Sequence, residues 1–243
     1  MINGENNAVD EAGRMKPIAT VNLRNHIEEE IRRAILQGRF KPGERLVEST
    51  IASEIGVSRA PVREVLSALE RVGLVMNIPR RGSFVIDFTP KDIEEIYTLR
   101  LLLEVEAIRL AAEHLREVDL QDMQAIVDSL GEAMIRQDDP EAIIRLDLSF
   151  HEKICLKADH SRLFNAWNSM RMQTMLLISM TSRTHYGLPN QTVKWHQDIL
   201  DAIKDGKSQL AENVLSNHLS DAMQRATKSF TEVHMQNSPT VVE

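Results

Sequence analysis

Residues 58–66 read Ser58-Arg59-Ala60-Pro61-Val62-Arg63-Glu64-Val65-Leu66, and the interpretation of this stretch decides the fold. It predicts the start of a short helix. Ser58 suits the N-cap, where a hydroxyl accepts from the free N–H groups of the first turn. Pro61 falls in that turn, where its missing N–H breaks no intrahelical bond. Val62, Val65, Leu66 and Leu69 recur at helical spacing and predict a buried face. Arg59 and Arg63 are four apart, so both project from one exposed face. Upstream, Glu48–Ile55 predicts another short helix, ended by Gly56. Ala52, Gly56 and Val62 then take the small, turn-forming and buried positions of a helix-turn-helix. In that unit the second helix lies in the major groove with its N-terminal residues on base edges. Here those residues are Ser58, Arg59 and Arg63, and arginine is the commonest reader of guanine. An ordinary αα-corner with solvated arginines is the alternative, since short matches arise by chance.

Beyond the helix, Gly73-Leu74-Val75-Met76-Asn77-Ile78-Pro79-Arg80-Arg81-Gly82-Ser83-Phe84-Val85-Ile86 predicts two short strands joined by a Pro-Arg-Arg-Gly turn. A basic hairpin beside a helix-turn-helix is a wing, and Arg80, Arg81 and Gly82 are its candidate DNA contacts. Gly82 permits positive φ or close approach to the DNA backbone. Pro42-Gly43-Glu44-Arg45-Leu46, Ile51-Ala52, the run from Ile55 to Glu64, Leu69-Glu70-Arg71-Val72-Gly73-Leu74-Val75 and Arg80-Arg81-Gly82 together resemble the winged-helix domain of the GntR family of bacterial transcription regulators. The resemblance implies that Arg59, Arg63 and Gly82 contact operator DNA. Some relatives carry a further DNA-contacting arginine where this chain has Ser49, so no role passes to that position.

The 243 residues have room for two domains, and 42% hydrophobic with 27% charged content is globular. Aromatics at 4% beside eleven methionines point to a helical, aliphatic interior. The single cysteine, Cys155, excludes an intramolecular disulfide and fits a reducing cytoplasm. No apolar run reaches membrane-spanning length, and the polar, acidic start does not read as a signal peptide. Net charge is −7, which argues against a simple basic nucleic-acid binder. The charge is unevenly distributed, however: 15–88 carries 12 Lys and Arg against 9 Asp and Glu, whereas 89–243 carries 16 against 24. A mildly basic module joined to an acidic one suits DNA binding by the first only.

Residues 1–14 are polar and predict a disordered tail. A first helix is expected over 20–37, with Leu23, Ile27, Ile31, Ala34 and Ile35 as its apolar stripe and Gly38 as its stop. Helix-turn-helix and wing complete a DNA-binding domain at 15–88. Thr89-Pro90-Lys91-Asp92 combines cap, proline and first-turn acid, and marks the domain boundary. From there six helices and no strands are expected, over 90–115, 119–137, 140–158, 161–184, 191–205 and 207–233. They form an all-α bundle at 89–235, followed by a loose tail at 236–243.

Three of those helices carry chemistry on their apolar faces. The third has Ile143, Asp147, Phe150, His151, Ile154 and Ala158; the fifth Val193, His196, Ile199, Leu200 and Ile203; the last Ala211, Val214, Leu215, His218, Ala222 and Ala226. A carboxylate on such a face is expensive unless paired or metal-bound. Asp147, His151, His196 and His218 together suit a borderline divalent ion, Zn, Ni or Mn, with positions left for water or ligand. The alternative is a set of satisfied core histidines with a buried Asp147–His151 pair. His26, His114, His160, His185 and His234 do not cluster in this way.

Asp147-Leu148-Ser149-Phe150-His151, Trp195-His196-Gln197-Asp198-Ile199-Leu200 and Asn217-His218-Leu219 resemble the metal-ligand motifs of the FCD effector domain of the FadR subfamily. Tyr97-Thr98-Leu99-Arg100 with Leu103-Glu104 resembles that domain's opening helix, and six bundle helices resemble its VanR-type branch. At 158–163 the usual Asn-Pro pair is replaced by His160-Ser161. Arg100, on an apolar stripe, is a candidate for holding an effector carboxylate, with an intrahelical ion pair to Glu104 as the alternative. Arg171, near Trp167, Met170 and Thr174, is a second candidate. The methionines from 170 to 180 are expected in core or dimer packing.

The expectation is therefore a cytoplasmic, homodimeric, ligand-responsive transcription regulator, more repressor than activator. It would bind double-stranded operator DNA and respond to a small organic acid at a divalent metal. A metal-dependent hydrolase is the first rival. It lacks support from any His-Glu-x-x-His or from a Ser or Cys paired with a base. A metal-free regulator that senses an acyl ligand is the second.

Overall fold

The structure, a computed structural model, describes residues 20–112, 114–185 and 189–237, with side chains from 23 to 232 apart from 113 and 182–190. The tail expected at 1–14 lies outside the described residues. The chain is mainly helical: α1 Thr20–Leu36, β1 Arg45–Leu46, α2 Glu48–Ile55, α3 Arg59–Arg71, β2 Val75–Ile78 and β3 Gly82–Val85 form the first half. The second half comprises α4 Pro90–Ala111, α5 Glu117–Arg136, α6 Pro140–Lys157, α7 Ser161–His185, α8 Pro189–Lys204 and α9 Ser208–Asn237. The tail expected from 236 begins inside α9; 238–243, and 186–188 in the gap expected between the helices at 161–184 and 191–205, lie outside the described residues.

Helical periodicity is realised in the first half. Val62, Val65, Leu66 and Leu69 of α3 are buried against Ile27, Ile31 and Ile35 of α1, while Leu23 at the start of that stripe is exposed. Gly56 ends α2 in the left-handed region at φ 76°, open to glycine without a Cβ penalty. The expected cap at Ser58 is corrected in one respect. Ser58 occupies the N-cap with extended backbone, but its hydroxyl accepts no hydrogen bond. Pro61 stands at the third helical position, so one of the two N–H groups that an N-cap hydroxyl normally binds does not exist.

The wing contains a strand that the two-strand expectation omits. Leu46 of β1 pairs antiparallel with Ser83, giving a sheet of order β1-β3-β2. In the turn, positive φ belongs to Arg80 at 64° as well as to Gly82 at 102°.

Thr89 and Asp92 close a capping box at the start of α4, with Thr89 Oγ1 accepting from the Asp92 N–H and Asp92 Oδ2 accepting from the Thr89 N–H at 2.7 Å. Between α6 and α7, Asp159 turns at φ 49° and His160 Nδ1 accepts from the Leu163 N–H at 3.2 Å, so histidine caps α7. Helix α4 packs most extensively on α9. One hydrophobic core runs without a break from α1 and α3 into Ile93, Tyr97, Leu148, Leu177 and Phe230. A second, around Phe150, Trp167, Leu200 and Leu215, fills the far end of the bundle. No described helix is long and apolar enough to cross a membrane.

Candidate metal centre and nucleic-acid interface

The inward stripes of α6, α8 and α9 meet at one point. Asp147, His151, His196 and His218 are at most 3% exposed, and each offers a ligand atom within 4.8 Å of the other three. The rings pack closely: His151 and His218 stack with centroids 5.3 Å apart, and His196 lies 5.0 Å from His218. His196 Nε2 is 3.2 Å from Asp147 Oδ1, short enough for an ion pair yet without the alignment of a hydrogen bond. Atoms that face a common centre, rather than one another, have this geometry.

Helix α4 and a backbone carbonyl orient two of the imidazoles. His151 Nδ1–H donates to Glu104 Oε2 at 2.6 Å, and His196 Nδ1–H donates to the Thr192 carbonyl at 2.8 Å. In each ring Nε2 is then the nitrogen turned to the cluster, the arrangement in which an outer carboxylate or carbonyl fixes a metal-binding histidine. His151 Nε2 and His218 Nδ1 are buried with no hydrogen-bond partner among the described residues. Burial, followed by His196 and His151, holds the His218 imidazolium well below the usual histidine range. It is therefore neutral, the form that ligates metal. Orphaned nitrogens cost about 1–3 kcal/mol each in an empty apolar interior. One carboxylate beside three imidazoles with partnerless ring nitrogens fits a divalent ion.

Glu104 is the hub behind the cluster. It is fully buried and accepts from Arg100 Nε at 2.8 Å, Trp167 Nε1 at 2.8 Å and His151. Burial alone raises its carboxyl. The Arg100 charge, then His151 and Trp167, outweigh that and hold it at about 2. The ion pair of Arg100 with Glu104 thus forms, but Arg100 Nη2 stays buried without a hydrogen-bond partner among the described residues. Two more donors share that condition nearby: Tyr97 Oη and Arg225 Nε, both close enough to Asp147 to feel its charge. Burial pushes the Tyr97 hydroxyl up to about 12. Neither Tyr97 nor Arg225 stands out as functional in the sequence, because Tyr97 is an ordinary apolar-stripe residue and Arg225 falls beside the stripe of the last helix rather than on it. Arg171 behaves differently. It pairs with Glu152 at 3.0 Å across α6 and α7, with about a third of its side chain exposed (32%).

At the other end of the molecule, Arg59 and Arg63 project from α3 with more than 60% of each side chain exposed, and both bind Glu48 of α2. Arg81 lies over the Phe84 ring at 5.7 Å. The guanidinium of Arg45 covers Gly82, where a Cβ would stand 3.5 Å from its Nε. Arg45, on the missed strand, is thus a further basic group at the wing.

Comparison with known proteins gives these two sites a common setting. Residues 23–85 match the model for the bacterial regulatory proteins of the gntR family, and residues 95–221 match the FCD domain. The HTH-type transcriptional regulator YdhC of Bacillus subtilis (strain 168) is 35% identical over 133 residues, 55% of this chain and 59% of that protein. The gluconate operon transcriptional repressor of the same organism is 36% identical over 159 residues, 63% of each chain. The matched region thus spans about three-fifths of the length of these relatives. The crystal structure of a GntR transcriptional regulator from Rhodococcus sp. RHA1 superposes with a TM-score of 0.72 at 25% identity, covering 85% of this chain and 98% of that one. The FCD match alone takes in more than half of the sequence and contains all four clustered side chains. The chain belongs to the gntR family of bacterial regulatory proteins, a family of transcription regulators rather than enzymes, and its helical half is an FCD domain.

Proposed function

We propose that this chain is a cytoplasmic repressor that binds operator DNA as a homodimer and is released by a small organic acid bound at a divalent metal in the helical domain. The domain limits proposed are 15–88 for DNA binding and 89–235 for effector binding and dimerisation. The observation that carries the proposal is the convergence of one buried carboxylate with three imidazole nitrogens that have no hydrogen-bond partner among the described residues. Asp147, His151, His196 and His218 would hold the ion, with Zn, Ni or Mn suited to this nitrogen-rich set. The ion would supply positive charge and a coordination position for a carboxylate oxygen.

Charge balance supports an anionic effector. Glu104 and Arg100 cancel, an imidazole binds an ion in its neutral form, and Asp147 would offset one of the two positive charges of the ion. One further negative charge would neutralise this buried centre. Arg100 Nη2, Tyr97 Oη and Arg225 Nε are donors in need of acceptors, which favours an acid that also carries hydroxyls or a second carboxylate. Sugar acids have that chemistry, and one relative represses a gluconate operon. Effector binding shifts DNA affinity only by its differential affinity for two dimer shapes, about 5–150-fold on the usual scale. Arg171, paired with Glu152, is not needed in this scheme.

The test is a thermal-shift screen of sugar acids, hydroxy acids and dicarboxylates on metal-loaded and metal-stripped protein, followed by operator release. Hits are expected only with metal. Equal shifts with and without it would make the ion structural and favour the metal-free rival. Metal-dependent turnover without specific DNA binding would favour the hydrolase.

A further inference from the structure

Glu48 opens α2, and the two arginines that face outward from α3 converge on its carboxylate. Arg63 donates through Nε to Oε1 at 2.9 Å and through Nη2 to Oε2 at 2.8 Å. Arg59 Nη2 reaches Oε2 at 3.3 Å. Glu48 is the more sheltered partner, its side chain 24% exposed against 64% and 63% for Arg59 and Arg63. Hydrogen bonding from Arg63 holds the Glu48 carboxyl below its ordinary range, and the same bond raises Arg63. The three groups line one cleft of about 540 Å³ with Arg45 and Gly82 of the wing.

The two-pronged grip of Arg63 on Glu48 uses the same fork that an arginine presents to O6 and N7 of guanine. One pair of N–H groups cannot serve both. DNA binding therefore requires an exchange, in which Glu48 releases the fork and another acceptor takes it. A guanine edge offers two neutral acceptors at matching spacing. A phosphate in the same place would approach a fixed carboxylate of like charge, which is unfavourable.

We propose that Glu48 is a specificity-determining residue: it occupies the base-reading faces of Arg59 and Arg63 in the free protein, so that tight DNA binding occurs only where base edges replace its two oxygens. This rests on the operator-binding proposal above. It adds that discrimination against random DNA comes from a negative charge at Glu48 as well as from contacts to the correct bases.

Glu48→Gln tests the proposal, because it keeps the shape and one acceptor while removing the charge. The probes are the tightest duplex that the full-length wild-type protein recovers from a randomised pool and a scrambled duplex of the same composition, at one fixed salt concentration. Glu48→Gln is expected to tighten binding to the scrambled duplex about tenfold, roughly one charge contact's worth. The selected duplex should change by less, so the specificity ratio falls and the salt dependence on scrambled DNA steepens. Glu48→Asp, with the charge retained, should keep most of the ratio, and melting curves should be alike for all three proteins. Equal changes on both duplexes, or equal loss of the ratio in Gln and Asp variants, would overturn the role of the charge. If the wild-type protein enriches no sequence at all, operator binding fails first and this inference falls with it.

Discussion

Arg32 of α1 donates through Nη1 to Glu141 Oε1 of α6 at 3.1 Å, tying the first helix of the chain to the helix that carries Asp147 and His151. Glu141 is 7% exposed and also accepts from Arg145 Nε at 3.2 Å, while Glu29 accepts from Arg32 Nη2 and Arg145 Nη2. A shift of α6 at the metal would be felt by α1 through this network. Glu141→Gln removes the charge that two guanidiniums share. It is expected to cost about 1–3 kcal/mol in urea unfolding and to weaken the effect of effector on DNA affinity, with metal content unchanged. An unaltered effector response would show that coupling runs elsewhere.

His196→Ala and His218→Ala are each expected to lower the metal bound per chain and the melting temperature. Stabilisation by an ion at a hundred times its Kd is about 2.7 kcal/mol, and that contribution is lost with the site. Elemental analysis of wild-type protein purified without chelator or affinity tag gives the baseline. Absence of metal there, with no uptake on titration, would falsify the centre.

Glu104→Gln is expected to be among the most damaging single changes in the bundle. The carboxylate accepts from Arg100, Trp167 and His151, whereas an amide has one acceptor oxygen and would point its NH2 at one of those donors. Leaving Arg100 buried without its counter-charge costs about 3–5 kcal/mol. Loss of the His151 orienting bond should weaken metal about 10–100-fold. Denaturant midpoints and metal titration read the two effects separately.

Asp119 sets part of the acid limb of stability. Lys157 Nζ donates to its Oδ1 at 2.6 Å, and this bond, helped by the Arg116 N–H at 3.1 Å, lowers the carboxyl to about 2 against the opposing effect of burial. A carboxyl lowered by folding adds stability above its ordinary value of 3.8 and loses that contribution as pH falls through about 2. Asp119→Asn should therefore be less stable than wild type at neutral pH, with the difference closing between about pH 4 and pH 2. A difference independent of pH over that window would mean that packing, rather than charge, is responsible.

Arg59→Ala is expected to cost about 1–3 kcal/mol on the operator and to relax specificity. Comparison with random DNA at equal salt separates its roles. Equal losses on both would make Arg59 a phosphate contact, and no loss would remove it from the interface.

Much of this protein is legible without any tertiary contact, because helical periodicity is a local property. The spacing of Val62, Val65, Leu66 and Leu69 identifies the buried side of α3. The inward placement of Asp147, His151, His196 and His218 follows in the same way from the stripes of three helices. Capping chemistry, also local, marks the start of α4 at Thr89 and Asp92. Periodicity says which face is buried and is silent on what it meets. The convergence of four ligand atoms depends on how α6, α8 and α9 pack. The role of Glu104 depends on α4, α6 and α7 at once. The grip of Glu48 on Arg63 joins residues on two helices across a turn, and β1 exists only because β3 lies beside it. Even the silent hydroxyl of Ser58 reflects a three-residue relationship with Pro61 that a position-by-position rule overlooks. Sequence spacing determines direction from a helix axis, whereas distances between side chains on different helices are set by the packing of the whole bundle.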